Sequence, residues 1–292
     1  MEISTDFKIK IRTAVLEARK NFDGSDDAFA KTLGLNGAIY SRLKGGEVDK
    51  IISESNWINI AIKYGVTRHE NNWKVVRTQV YEQLEDSLTF CKEFSKAMIF
   101  SDECDIGKTF SARHIVKGMK NAFYIDCSQY KTRQQFIRAL AKIVGLDNTG
   151  KYIDVKTRLK WALVNIDKPL IVFDEAGDLE YMAFLEIKEI WNATEGMCGM
   201  YMIGADGLQT KLDNGFKKKK VGFAEILSRF SDEIIKVVPT GKENREAFFS
   251  KLINDVASAN MDDKTKVIPL VRQCVKKEKK LRHLGTLIKL QA

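Results

Sequence analysis

The most constraining stretch of the chain is the one in which an apolar run, AMIF at 97–100, passes through SDECDIGKT and turns helical over FSARHIV. A strand that opens a helix through a loop ending in Gly-Lys-Thr makes a phosphate cradle. Backbone N–H groups wrap the anion at the positive end of the helix, the lysine reaches the β and γ phosphates, and the hydroxyl is offered to magnesium. Gly107, Lys108 and Thr109 fill those places. The loop residues Asp102, Glu103, Cys104, Asp105 and Ile106, with Phe110 beyond them, complete the candidate nucleotide-binding segment. The P-loop pattern, GxxxxGK followed by Ser or Thr, asks for glycine where Asp102 stands. Three carboxylates, Asp102, Glu103 and Asp105, disfavour a triphosphate if they point inward. Asp102 also has to hold a backbone conformation that glycine adopts more freely.

A second run, KPLIVFDEAGDLE, is short, β-rich and apolar, and it ends in two carboxylates. At the carboxyl end of a buried parallel strand Asp174 can hold magnesium through water, and Glu175 can polarise the water that attacks a γ-phosphate. NAFYIDCS and GMYMIGAD read as further strands of the same sheet, separated by helical segments such as QQFIRALAKIVGL and FLEIKEIWNAT. The fold class is α/β: a parallel, doubly wound P-loop sheet.

Apolar residues make up 44% of the chain and charged residues 30%, with three prolines, which fits a compact, helix-rich chain rather than a disordered one. MEISTDFKIKIR has no apolar core of signal-peptide length and no later stretch approaches a membrane span, so a cytoplasmic protein with no membrane partner is expected. The five cysteines are widely spaced without a CxxC pair, and the three histidines are scattered, which argues against a disulfide framework, a zinc site or a histidine nucleophile. The net charge of +9 concentrates in Lys211–Lys220 and in residues 240–292. Such an excess suits a polyanion without identifying it, and equally suits a solvated basic face.

Residues 1–66 read as short helices. Ser25 can cap one running to Leu33, Gly34 and Leu35 make a tight turn, and Asn36 can cap a second that ends at Gly45 and Gly46. Ala30 supplies the small residue at the helix crossing, while Tyr40 and Leu43 pack inward. The spacing resembles a repressor-type helix-turn-helix. Its second helix would present Asn36, Gly37, Ala38, Ser41, Arg42 and Lys44 to a major groove; a hairpin that merely packs is the alternative. Trp57, Ile58, Ile60, Ile62 and Tyr64 are expected to form the closing helix and its core.

The paired phosphate motifs, with two further segments, resemble the AAA+ ATPases. FAEILSRFSDEI looks like the element that carries an arginine finger, which implies that Arg229 acts on the ATP of a neighbouring subunit. KKLRHLGTLIKL resembles the lid helix with its sensor arginine, here Arg282, and Asp206 after the fourth strand is the candidate γ-phosphate sensor. The order of parts is a helix-turn-helix module at 1–66, a helical connector at 67–95, an AAA+ core at 96–239 and a helical lid at 240–292. That order is similar to the phage Mu B-type transposition ATPases and the related TnsC-type and IstB-type proteins. The resemblance implies an ATP- and Mg2+-dependent ATPase that self-associates into a filament or ring on double-stranded DNA, marks target DNA, recruits and stimulates a transposase, and leaves on hydrolysis. It also places DNA contacts on loops facing the assembly axis. Lys131, Arg133, Lys151, Tyr152, Lys156 and Arg158 are the candidates, with Lys217–Lys220 in addition. A helicase-loader or initiator ATPase, and a non-hydrolysing DNA-binding regulator with a degenerate P-loop, stay open at this point.

Overall fold

The computed structural model describes residues 3–22, 24–68, 73–230 and 233–291. Four helices open the chain: α1 (Thr5–Lys20), α2 (Asp26–Thr32), α3 (Gly37–Gly45) and α4 (Glu54–Tyr64). The caps fall where the sequence puts them. Ser25 Oγ accepts the Ala28 N–H at 3.1 Å and Asn36 Oδ1 accepts the Ile39 N–H at 2.8 Å. α3 stops at Gly46, whose φ of 110° is a left-handed C-cap. Phe29, Ala30, Tyr40, Leu43, Trp57 and Ile60 share one small core with Ile11 and Val15 of α1. The expectation for α4 needs one correction: Ile58 and Ile62 are exposed, on the solvent side of an amphipathic helix whose buried side is Trp57, Ile60 and Ala61. The module rests on the chain's larger body, where the Asn21 amide donates to Lys117 O at 2.5 Å and Asn121 N donates to Asn21 O at 3.4 Å.

α5 (Gln79–Phe94) corrects the connector expected at 67–95. Its apolar residues Val80, Tyr81, Leu84, Leu88 and Cys91 recur on one face and pack beneath the sheet with Phe100, Val172 and Tyr201. α5 is thus a layer of the α/β body. The body continues through β1 (Ala97–Ser101), α6 (Lys108–Gly118), β2 (Ala122–Asp126), α7 (Arg133–Val144) and α8 (Tyr152–Asn165). After these come β3 (Leu170–Asp174), α9 (Tyr181–Ala193), β4 (Gly199–Gly204), α10 (Asp206–Lys217), α11 (Phe223–Arg229) and β5 (Ile234–Ile235). The five strands pair in parallel in the order β2–β3–β4–β1–β5. Every residue of β3 and β4 is buried, which is why both read as near-continuous apolar runs rather than alternating ones. One face of the sheet packs Ile99, Ile171, Phe173 and Met202 against α7, α8 and α9; the other packs Phe100, Val172, Tyr201 and Ile203 against α5 and α6.

The stretch after residue 150, expected as a loop, is α8, with Val155, Leu159, Ala162 and Leu163 buried at helical spacing. The chain closes with α12 (Lys242–Asn260), α13 (Val267–Lys276) and α14 (Leu281–Gln291). These form a helical lid around Ile253, Val256, Leu270, Cys274 and Leu284, with Trp73 and Val76 packed onto it. This is an AAA+ P-loop α/β fold. Among the described residues, no helix is long and apolar enough to cross a membrane.

Candidate active site

β1 delivers its chain into the loop 102–107, and α6 starts at Lys108 with Gly107 in the left-handed region at φ 95°. The Lys108 ammonium is buried and donates to the carbonyl of Asp102 at 2.7 Å and to that of Glu103. Burial pushes the Lys108 amine below its ordinary pKa, against the pull of Asp102, Glu175 and Asp174.

The carboxylate at the position where the pattern wants glycine does not face the cradle. Asp102 is 5% exposed, its Oδ2 accepts the N–H groups of Val237 and Val238 at 2.6 and 2.8 Å, and its Oδ1 accepts the Glu103 N–H at 2.7 Å. The side chain therefore fastens the P-loop to the segment that follows β5. Its backbone is also ordinary: the left-handed residues other than glycine near the site are Asp105 at φ 64° and Glu175 at φ 50°, so the strain expected at Asp102 is found there instead. Restoring the family glycine with Asp102→Gly is expected to cost about 2–5 kcal/mol of stability in denaturant unfolding, since buried N–H groups lose a charged acceptor. A variant as stable as the parent would mean that the carboxylate does not hold this junction.

The other two loop acids are also turned away from the cradle. Glu103 is bonded by Arg245 and by Lys280, the latter at 2.6 Å, and Asp105 accepts the Arg282 backbone N–H at 2.9 Å and 3.1 Å. Ile106 is buried in the core on the α5 side, which leaves its backbone for the cradle; Cys104 and Phe110 are exposed and Thr109 is half-buried at the helix start.

Asp174 ends β3 level with Asp126 at the end of β2. It is 1% exposed, with Oδ1 accepting the Glu175 N–H at 3.0 Å and Oδ2 accepting the Tyr124 hydroxyl. Arg113, on α6 beyond Thr109, lies 5.1 Å from the Tyr124 ring centroid and reaches Asp126 at 3.2 Å. Sequence reasoning missed Tyr124 and Arg113. The available signal was that Tyr124 and Asp126 sit two apart in β2 and share a face of the sheet. Burial, with Asp174 and Asp178 nearby, raises the Glu175 carboxyl above its ordinary value, partly opposed by Lys108. An acid at the end of a buried strand and a hydroxyl at a helix start are oxygen donors that suit magnesium, which keeps several waters and shares the ligand's phosphates. Among the described residues no group of three or more His, Cys, Asp or Glu could hold a metal by itself.

Asp206 is exposed in the first turn of α10, just past β4. Arg229 ends α11 with Nε donating to Asn192 Oδ1 at 2.7 Å, Nη1 donating to Glu225 O at 2.9 Å, and the guanidinium 5.2 Å from the Trp191 ring. The Arg282 side chain is 86% exposed.

The expected DNA contacts divide. Lys156 is corrected: it is 4% exposed and bound to Glu186 at 2.8 Å and to Glu189, so it neutralises a buried acid and cannot meet a phosphate. Arg133 is committed to the same Glu186 and to the Tyr152 hydroxyl, and Arg158 to the carbonyls of Asp147 and Thr149. Lys151 is exposed at the start of α8. Lys131 pairs with Asp178 at 3.2 Å on the surface, an exchangeable bond. In the front module Ser41, Arg42 and Lys44 are exposed; Arg42 pairs with Glu47 and Lys44 with Asp26, while Asn36 serves as the α3 cap.

A strand-to-helix loop ending in Gly-Lys-Thr, an acidic strand end beside it and a group of helices after the sheet are the parts of an AAA+ P-loop fold. Residues 103–212 match the family model described as AAA domain, from the second residue of the P-loop through β4 into α10. The chain thus carries an AAA domain of the AAA+ ATPase class at those residues. No curated protein matches the chain.

Proposed function

We propose that the chain is an ATP-dependent, DNA-binding AAA+ ATPase of DNA transposition, which assembles on target double-stranded DNA, recruits and stimulates a transposase, and is released when ATP is hydrolysed. The observation that carries the nucleotide part is the orientation of the loop acids. Asp102, Glu103 and Asp105 are each bonded to residues after β5, so apart from the Glu103 N–H, which Asp102 takes, they leave the loop's backbone donors and Lys108 for phosphate. This favours a working P-loop over a degenerate one. ATP would lie with its β and γ phosphates on the loop N–H groups and Lys108, Thr109 and Asp174 would hold the accompanying magnesium, and Glu175 would take the proton of the attacking water. Arg229 would complete the site of a neighbouring copy, with Asp206 as a sensor of the γ-phosphate.

DNA contact rests on the front module with Ser41, Arg42 and Lys44, on the exposed Lys131 and Lys151, and on the Lys217–Lys220 run. The last adjoins α9, since Lys220 Nζ lies 5.6 Å from the Tyr181 ring and the Tyr181 hydroxyl donates to Val221 O at 2.9 Å. The transposition assignment rests on the order of parts alone: helix-turn-helix, AAA+ body, short basic lid.

Electron microscopy and fluorescence anisotropy with random and defined duplexes test this reading. Binding is expected to require ATP, to ignore sequence, and to fall log-linearly with salt because many lysines contact phosphate. Tight, ATP-independent recognition of one sequence would overturn it in favour of a repressor-like regulator. Capture of a helicase in place of a transposase would move the protein to the loader class.

A further inference from the structure

The lid residue expected to sense phosphate, Arg282, has an 86% exposed side chain whose Nε lies 3.8 Å from the Asp105 carboxylate; two other lid cations bond Glu103 of the P-loop. Lys280 Nζ donates to Glu103 Oε2 at 2.6 Å and to Cys104 O at 3.1 Å, and Arg245 bonds Glu103 Oε1. Both cations lie over one ring, Lys280 5.0 Å and Arg245 5.7 Å from the Phe249 centroid, so an aromatic shelf holds them in place. The Lys280 and Glu103 side chains are 20% and 21% exposed, against 86% for Arg282. Burial works to raise the Glu103 carboxyl, and the bonds from Arg245 and Lys280 outweigh it, so that it lies below the ordinary glutamate range. The carbonyl of this same Glu103 accepts from the Lys108 ammonium, which places the paired cations beside the lysine that the phosphates are to meet.

We propose that Lys280 and Arg245 are the phosphate-responsive pair of the lid, and that Glu103 competes with the nucleotide's phosphates for them. This inference rests on the nucleotide-site reading above. A triphosphate brings more negative charge to the cations than one carboxylate does, at a site where Lys280 and Glu103 are about a fifth exposed and Arg245 is 42% exposed, so exchange of partners favours the nucleotide. Arg245 is in the first turn of α12 and Lys280 immediately precedes α14, so the exchange acts on two of the three lid helices at once. By linkage, whatever ATP gains from the pair it spends in loosening the Glu103 tether, and the lid reports occupancy of the loop. Asp105, which caps α14 through the Arg282 N–H, keeps the lid attached while the pair changes partners.

The test is titration of the full chain with fluorescent ATP and ADP analogues, with thermal melting of each variant as the folding control. Lys280→Ala is expected to weaken ATP by about tenfold and ADP less, the loss of one partly exposed charged contact, and Arg282→Ala to change little. Glu103→Gln is expected to tighten ATP by about three- to tenfold. That tightening should vanish in a background of Lys280→Ala with Arg245→Ala, because no shared cations remain. If it persists undiminished there, Glu103 acts by plain repulsion and the exchange is overturned. Weaker ATP binding in Glu103→Gln, or full affinity in Lys280→Ala, overturns it as well. Nucleotide binding that survives Lys108→Ala unchanged fells the site reading itself, a result distinct from any of these.

Discussion

Lys108→Ala is expected to lower ATP affinity by at least a hundredfold, to below detection in a fluorescence titration. The buried ammonium is held at the cradle by the carbonyls of Asp102 and Glu103, and the lid cations Arg245 and Lys280 bond the Glu103 carboxylate. On the exchange inferred above these two cations act on the phosphates in addition to Lys108, not in its place. Two charge-assisted bonds to phosphate at about 1.5–3 kcal/mol each amount to about 10²–10⁴ in affinity. The fold should survive, because the change is confined to the loop and leaves the bonds of Asp102 to Val237 and Val238 in place. A melting temperature near that of the parent with nucleotide binding gone is the expected pair of results; unchanged affinity would remove the loop from the site.

The parallel sheet was legible because its strands are buried on both faces. LIVFD and GMYMIG carry no alternation, and a strand of that kind needs helices above and below it. The bounds of α2 and α3 were legible from Ser25, Asn36 and Gly46, whose capping chemistry is local and survives any tertiary arrangement. β5 was not legible, since a two-residue edge strand has no periodicity to read. α5 was read correctly as helix and wrongly as a connector: an amphipathic helix announces that it has a buried face, not what it is buried against.

The site divides along the same line. Lys108, Asp174 and Glu175 follow from motifs in which spacing implies geometry. The orientation of Asp102 depends on Val237 and Val238, more than a hundred residues away, and no local pattern encodes that meeting. Lys156 shows the reverse error. A lysine in a basic stretch reads as a surface contact until Glu186, on another helix, is found buried beside it. Charge counts along a chain give supply, whereas only the fold shows which charges are already spent on one another.

The same dependence on burial underlies the second large effect, in Glu175→Gln, where ATP binding should remain and hydrolysis should fall by about 10²–10⁴, the range for removal of a general base. Glu175 stands one residue past the buried strand, with its backbone left-handed at φ 50°, a strained position of the kind that aims a side chain at a site. Burial and the neighbouring charges of Asp174 and Asp178 raise its carboxyl, so it accepts a proton more readily than an ordinary glutamate. The hydrolysis rate of the parent should therefore rise with pH through a limb lying above the ordinary glutamate value of 4.5, and that limb should be missing in the Gln variant. The sign for stability is opposite to that of a paired acid. A carboxyl whose pKa is raised by folding disfavours the fold once pH exceeds its unfolded value, so the neutral amide should leave the protein at least as stable as the parent at neutral pH. A variant that melts early, or that loses ATP binding along with hydrolysis, would make Glu175 a structural residue. Hydrolysis at the parental rate would exclude it as the base and direct the search to Asp126 at the end of β2 and Asp178 in the turn after β3.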